Sequence, residues 1–303
     1  MPSKNTPTWT GLLNLFVVYI VWGSTYLAIR FAVRDGSGFP PFMLGAMRVT
    51  VAGILLVGWG ALTRKRIKPT RQELITLAAS GLLLWVGGNG LVNWSEQRTD
   101  SGLAALIIAA MPIWVAMIEA ILDRRMPSPR MVGALFIGFV GIAVLSYPTL
   151  RSGVSADIWA VIGLLLAGLS WGTGSVLQSR RPVALTAEVS SGYQHLFGSL
   201  GFILMVLLLR EPLPTPTTEA WLAWGYLVIF GSLLAFTSFV RALQLLPTKI
   251  VMTYGYVNPV IAVFLGWLFL QESVTPWTLG GAALVLLGVA GIFRERYRRP
   301  PDS

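Results

Sequence analysis

The chain has 303 residues, of which 54% are apolar and only 12% charged, whereas a soluble domain carries roughly 25% charged residues. So little charge cannot solubilise a surface of this size, so the chain reads as an integral membrane protein, and its 32 Gly and 18 Pro suit transmembrane helices, which tolerate both. The absence of Cys and the single His exclude disulfide frameworks and leave nothing from which to build a thiolate or multi-His metal site, so neither metal nor cofactor is expected.

A bilayer core about 30 Å thick calls for about 20 mostly apolar residues in a helix. Windows of that length fall at 11–33, 42–63, 72–94, 99–122, 131–147, 157–179, 184–209, 218–245, 248–270 and 275–293. The expected fold is therefore all-α and integral to the membrane, with ten transmembrane helices. Short connections leave no room for a soluble domain. The first window is too long for a signal peptide and lacks a small-x-small cleavage site, so it reads as a retained helix. Alternate connections differ sharply in Lys and Arg. Seventeen of the 23 basic residues lie on the side of the N-terminus, including Arg64, Lys65, Arg66, Lys68 and Arg71 in one loop and Arg294, Arg296, Arg298 and Arg299 near the end. By the positive-inside rule both termini are cytoplasmic. The net charge of +10 thus reports topology and gives no reason to expect nucleic acid; the bilayer is the expected surroundings.

Polar side chains inside such segments are costly unless they face protein or a wet cavity. In the first segment Tyr19, Trp22 and Tyr26 fall at i, i+3 and i+7, a single helical stripe that ends near Arg30. Arg48 lies within the second segment, where it can attract a carboxylate or be satisfied by helix-end carbonyls. In the third, Trp85, Asn89 and Asn93 at i, i+4 and i+8 form a stripe able to hydrogen-bond an amino acid's ends while stacking on its side chain. Small-residue helix packing is the bland alternative. The fourth carries Pro112 and Trp114, and Glu119 close to the cytoplasmic end beside Arg124. Trp171 stands in the sixth, and Tyr193 and His195 in the middle of the seventh; a lone membrane His serves packing as readily as proton or substrate binding. Tyr254 and Asn258 lie four apart in the ninth, and Pro259 frees a carbonyl one turn earlier.

The chain repeats itself. Trp22-Gly23 recurs as Trp171-Gly172, and Gln97, Pro112, Gly133, Gly141 and Ala143 recur as Gln244, Pro259, Gly280, Gly288 and Ala290 at one constant offset. The halves are 1–150 and 151–303. Five helices in each force the second to enter the membrane in the opposite sense, which creates a pseudo-twofold axis in the membrane plane and a binding site near the midplane. That arrangement points to a transporter.

Trp22-Gly23-Ser24-Thr25-Tyr26 with Arg30, Pro40-Pro41 ahead of Arg48, and Gly102-Leu103-Ala104-Ala105-Leu106 leading to Pro112 resemble the EamA family of the drug/metabolite transporter superfamily. Leu270-Gln271-Glu272-Ser273-Val274, followed by Gly280 and Leu287-Gly288-Val289, is similar to that family's last two helices. The resemblance covers nearly the whole chain and is greatest to the YddG-type amino-acid exporters. It implies two inverted EamA repeats, a central cavity lined by helices 1–4 and 6–9, helices 5 and 10 toward the outside, and an inner-membrane exporter of small metabolites. Arg125 departs from the pattern, standing where the first repeat often has Glu, while Glu272 keeps the Glu in the second.

The expected function is export of amino acids or similar small metabolites by alternating access through an aromatic and amide-lined cavity. A multidrug/proton antiporter would need a deep carboxylate, and no Asp or Glu occurs in helix 1 or the interior of helix 6. A sugar-phosphate carrier would need several cavity cations. An intramembrane enzyme would need a nucleophile and base or a metal cluster, and no Walker A motif offers ATP drive.

Overall fold

A computed structural model of the chain describes residues 8–33, 36, 38–98, 101–151, 157–270 and 274–298. The described residues form ten membrane helices. These are α1 (Trp9–Val33), α2 (Pro41–Leu62), α3 (Arg71–Ser95), α4 (Ser101–Ile108 and Met111–Asp123), α5 (Pro129–Arg151), α6 (Ile158–Arg180), α7 (Ala187–Leu209), α8 (Thr218–Leu245), α9 (Thr248–Val251 and Tyr254–Leu270) and α10 (Pro276–Arg298). The boundaries expected from hydropathy agree within a few residues. The largest shifts are at α10, which continues to Arg298, and at α5, which continues to Arg151; α7 starts at Ala187, where the Thr186 side chain caps it.

Local chemistry sets the ends. Thr70 and Glu73 form a reciprocal capping box at the start of α3, and Asp157, Thr186 and Thr217 cap α6, α7 and α8. Each such cap contributes about 0.5–2 kcal/mol. Arg124 and Arg210 close α4 and α7 in the left-handed conformation (φ 50° and 52°). At α2, Pro41 occupies the first turn, where its missing N–H is no loss. The Glu211 carboxylate accepts from the next two amides, Phe42 N (3.1 Å) and Met43 N (2.7 Å), a negative charge at a positive helix end.

Large apolar side chains such as Ile54, Trp59, Leu204, Leu207 and Leu287 are exposed on the outer surface, as helices facing lipid require. The packing between helices is symmetric. The most extensive pair, α5 with α10, joins a helix to its equivalent in the other half, and so does the α2/α7 pair. The α3/α6 and α1/α8 pairs likewise correspond. The two halves are thus inverted repeats about one pseudo-twofold axis.

At the α5/α10 seam that axis is visible residue by residue. A Cβ on Gly141 would stand 2.6 Å from Val285 N, and one on Gly288 would stand 2.5 Å from Gly138 N. These contacts are the symmetry mates of each other, and both glycines belong to the repeated set. Small residues let the two backbones meet where no hydrophobic force between helices is available.

Two departures from regular helix also come in matching pairs. α3 and α8 each contain a π-helical run, Leu82–Gly90 and Leu227–Phe236. α4 and α9 are each broken, at Ala109–Ala110 and at Met252–Thr253. The break in α4 falls just before Pro112, whereas Pro259 sits inside the longer piece of α9. The π-helical runs and the break in α4 lie well inside their helices, and the break in α9 lies one turn from its start; irregular backbone within a membrane persists only if protein or a cavity satisfies it.

The seam makes a direct prediction. Gly288→Leu introduces overpacking worth about 1–3 kcal/mol and lowers the melting temperature of the detergent-solubilised protein. Gly280→Leu, at a position with no neighbour within 4 Å, leaves it nearly unchanged.

Candidate functional site

A cavity lies between the halves. Aromatic and apolar lining comes from Trp22 and Ile29 of α1, Trp85 and Val92 of α3, Ile108 and Met111 of α4, Ala167 and Trp171 of α6, and Tyr254 of α9. Its polar lining is Thr25, Arg48, Asn89 and Asn258. It holds about 80 Å³ of space open to the centre of a water molecule, room for roughly six waters at about 10–15 Å³ each. Among the described residues no Asp or Glu lines it.

The aromatic walls are held edge to face. Trp22 meets Trp171 at 5.5 Å between ring centroids and 79° between planes, and Tyr254 at 4.9 Å and 73°. Trp85 meets Trp171 at 6.5 Å and 70°. These are the offsets that ring quadrupoles favour. Trp22 and Trp171 are repeat equivalents, so the pseudo-twofold axis passes between two indoles.

The π-helical run of α8 organises the other wall. Its Gly231 carbonyl accepts from Trp22 Nε1 at 3.1 Å, and the next residue, Ser232, accepts from Arg48 Nε at 2.8 Å. A Cβ on residue 231 would stand 2.8 Å from an Arg48 terminal nitrogen, so the guanidinium rests on bare backbone. The other side of Arg48 faces the Trp85 ring, 5.2 Å from its centroid, a cation–π arrangement. Arg48 is 5% exposed. Its Ser232 bond is the only one from the guanidinium among the described residues.

The floor of the cavity is closed toward the face that carries the basic loops. The Tyr19 hydroxyl bonds Thr253 Oγ1 at 2.6 Å, directly at the break in α9. With its amide oriented by its neighbours, the Asn258 nitrogen donates to Tyr19 O (3.2 Å) and Tyr254 O (3.1 Å), which leaves the side-chain oxygen for the cavity. Beneath them Leu15, Val18, Leu246, Ile250, Val251 and Met252 are fully buried, and Lys249 pairs with Glu119 at 3.0 Å. Toward the other face the lining continues through Ile29 and Val92, each within a turn or so of its helix end.

Of the residues singled out from the sequence, Trp22, Arg48, Trp85, Asn89, Trp171, Tyr254 and Asn258 come together at the cavity. Tyr19 lies in its floor. Asn93 is turned away and donates to Pro41 O and Asn89 Oδ1, both at 3.4 Å. Trp114 packs over Gly168 of α6. Tyr193 donates to Ile67 O at 2.7 Å, far from the cavity. His195 is fully buried one layer out, its Nδ1 2.7 Å from Ser191 O and its ring against Trp85 and Phe236. The side chains of Tyr26 and Arg30 and the whole of Glu272 lie outside the described residues. Glu119, expected beside Arg124, instead pairs with Lys249.

Helices α7 and α8, expected to line the cavity, supply no lining residue among those described; His195 and Phe236 fill that side behind Trp85. Sequence reasoning passed over Thr25, Gly88, Met111 and Ala167. Thr25 carried a signal, since it belongs to the quoted Trp22–Tyr26 run. The small and apolar ones carried none, because nothing separates them from packing residues.

Comparison with known proteins agrees with this architecture. The model of the EamA-like transporter family matches residues 9–147 and 158–294, once in each half. The chain is 34% identical over 256 residues to the inner membrane transporter YedA of Escherichia coli strain K12, covering 83% of this chain and 80% of that one. It is 24% identical to the transporter YoaV of Bacillus subtilis (92% and 94% covered) and 28% identical to the protein PecM of Dickeya dadantii (94% and 95% covered). A solved crystal structure superposes with a TM-score of 0.76 at 19% identity, over 95% of this chain and 98% of that one, and shares the fold. The chain belongs to the EamA-like transporter family.

Proposed function

We propose that this transporter exports amino acids or similar small metabolites across the inner membrane by alternating access, with the central cavity as its substrate site and the basic loops in the cytoplasm. The observation that carries the reading is the cavity itself. It lies between two inverted halves, at the level of two π-helical runs and two broken helices, where such transporters expose polar groups to substrate. Its lining joins three indoles to amides and one guanidinium, a set that suits a small solute with a carboxylate and an apolar side chain. The drug/proton antiporter reading is disfavoured because no described carboxylate lines the cavity, and one guanidinium is a poor match for a polyanion.

On this reading the structure is closed on the cytoplasmic side and approached from the opposite face. The purified protein in liposomes should move neutral amino acids or their small carboxylate relatives; an inert result across a broad panel of both contradicts the assignment. Asn89→Ala removes a hydrogen bond worth about 0.5–1.5 kcal/mol, so transport should weaken roughly two- to tenfold with the melting temperature retained. Unchanged kinetics would move the site elsewhere.

Because the chain has no Cys, accessibility can be read without background. A Cys placed at Ile29 or Val92 should react with a membrane-impermeant thiol reagent applied from the face opposite the basic loops. One placed at Leu246 or Ile250 should not. Equal reaction at all four positions contradicts the closed floor.

A further inference from the structure

Arg48 is the least reconciled group in the molecule. Its guanidinium has five N–H donors and is always charged; among the described residues one of the five is used, by Ser232, and no carboxylate pairs with it. A buried cation with no counter-charge is strongly disfavoured. Yet the surroundings are shaped for this one: Gly231 makes room, Ser232 fixes Nε, the Trp85 ring covers one side, and the remaining side faces the cavity. A planar fork with donors open to a cavity is the geometry that receives a carboxylate through two parallel N–H bonds.

The rest of the cavity completes the specification. The Trp22 and Trp171 rings line the same cavity and accept an apolar or aromatic body. A ligand ammonium meets no negative charge among the described lining residues, and the amide acceptors on offer, the Asn89 and Asn258 oxygens, are neutral. In an α-amino acid the ammonium is tied within one carbon of the carboxylate, so a carboxylate seated on Arg48 carries a second cation toward the guanidinium.

We propose that the preferred substrate is a small amphipathic monocarboxylate with net charge −1, its carboxylate on Arg48 and its apolar body among the indoles. The inference rests on the reading of the cavity as the transport site and narrows it from amino acids and similar metabolites to their anionic, ammonium-free relatives. One negative charge then crosses with each turnover. An inside-negative membrane potential drives that charge outward, so export proceeds without a coupled proton, in keeping with the lack of a described carboxylate in the lining.

Three probes separate the possibilities: 3-phenylpropionate carries the carboxylate alone, phenylalanine carries both groups, and phenethylamine the ammonium alone. Binding to the detergent-solubilised protein is read by quenching of its tryptophan fluorescence, and flux is read in liposomes at imposed potassium diffusion potentials. Two like charges near 5 Å repel strongly at an effective dielectric constant of about 20, so 3-phenylpropionate should bind at least about tenfold more tightly than phenylalanine. Phenethylamine should not bind. Efflux of 3-phenylpropionate should speed up as the interior is made negative.

Arg48→Met should abolish 3-phenylpropionate binding without lowering the melting temperature, because replacing a buried charge by an apolar side chain is commonly neutral or stabilising. Arg48→Lys, which keeps the charge and loses the fork, should bind weakly. Retained binding in Arg48→Met, equal or tighter binding of phenethylamine, or efflux indifferent to potential would each overturn the proposal. Arg48-dependent binding without flux would leave the carboxylate site standing and overturn the transport reading. Potential-independent flux of phenylalanine, with 3-phenylpropionate neither bound nor moved, would do the reverse.

Discussion

A guanidinium inside a bilayer must find its hydrogen bonds in protein or in a water-filled space, and much of this structure is arranged around how Arg48 finds them. Arg48 comes from the first half of the chain and Ser232, its one hydrogen-bond partner among the described residues, from the second. The π-helical run of α8 holds Gly231 and Ser232 behind the cavity lining, against the Arg48 guanidinium. The same turn of backbone supplies the carbonyl that holds Trp22, and Trp22 is a node of the ring cluster that includes Trp171 and Tyr254. Removing the glycine at 231 would disturb both the cation and the indole. The residues that shape the cavity are therefore coupled through one short stretch of α8, although that stretch lines none of it.

The two ends of the cavity differ. Toward the basic loops a polar lock, Tyr19 with Thr253, rests on a plug of buried aliphatic side chains and on the Lys249–Glu119 ion pair. Toward the other face the lining runs nearly to the helix ends. The α5/α10 seam, where Gly141 and Gly288 allow the backbones to touch, lies away from this asymmetry and is built alike on both sides of the axis. A symmetric, tightly packed seam beside an asymmetric pathway is what alternating access requires, since one part must stay fixed while the openings exchange.

The fold was legible in the sequence because the membrane imposes it. Twenty-residue apolar runs leave few choices of helix position, and odd-numbered repeats leave one relative orientation. The repeated Gly141 and Gly288 even marked the axis before their contact was visible. The π-helical runs were not legible, because Leu82–Gly90 and Leu227–Phe236 read as ordinary apolar helix. That gap explains a misplaced residue. The stripe Trp85, Asn89, Asn93 assumes a uniform α-helical turn, but a π-helical segment turns through a smaller angle per residue. By Asn93 the face has rotated away, and the amide meets Pro41 O instead of the cavity. Tyr193 and His195 illustrate a different limit. Their depth in α7 followed from position, but which neighbour the helix turns toward depends on packing with α2 and α3, which no local pattern encodes. His195 proves to back Trp85, shaping the wall from behind.

The central claim is that recognition occurs in this cavity, with Arg48 as the anchor. Its most direct test is a crystal of the protein with 3-(4-bromophenyl)propionate, located by the anomalous scattering of bromine. The account predicts a single bromine peak among the Trp22, Trp171 and Tyr254 rings, with the carboxylate on the open side of the Arg48 guanidinium. A peak on the lipid-facing surface, or a cavity without bromine at saturating ligand, would contradict it.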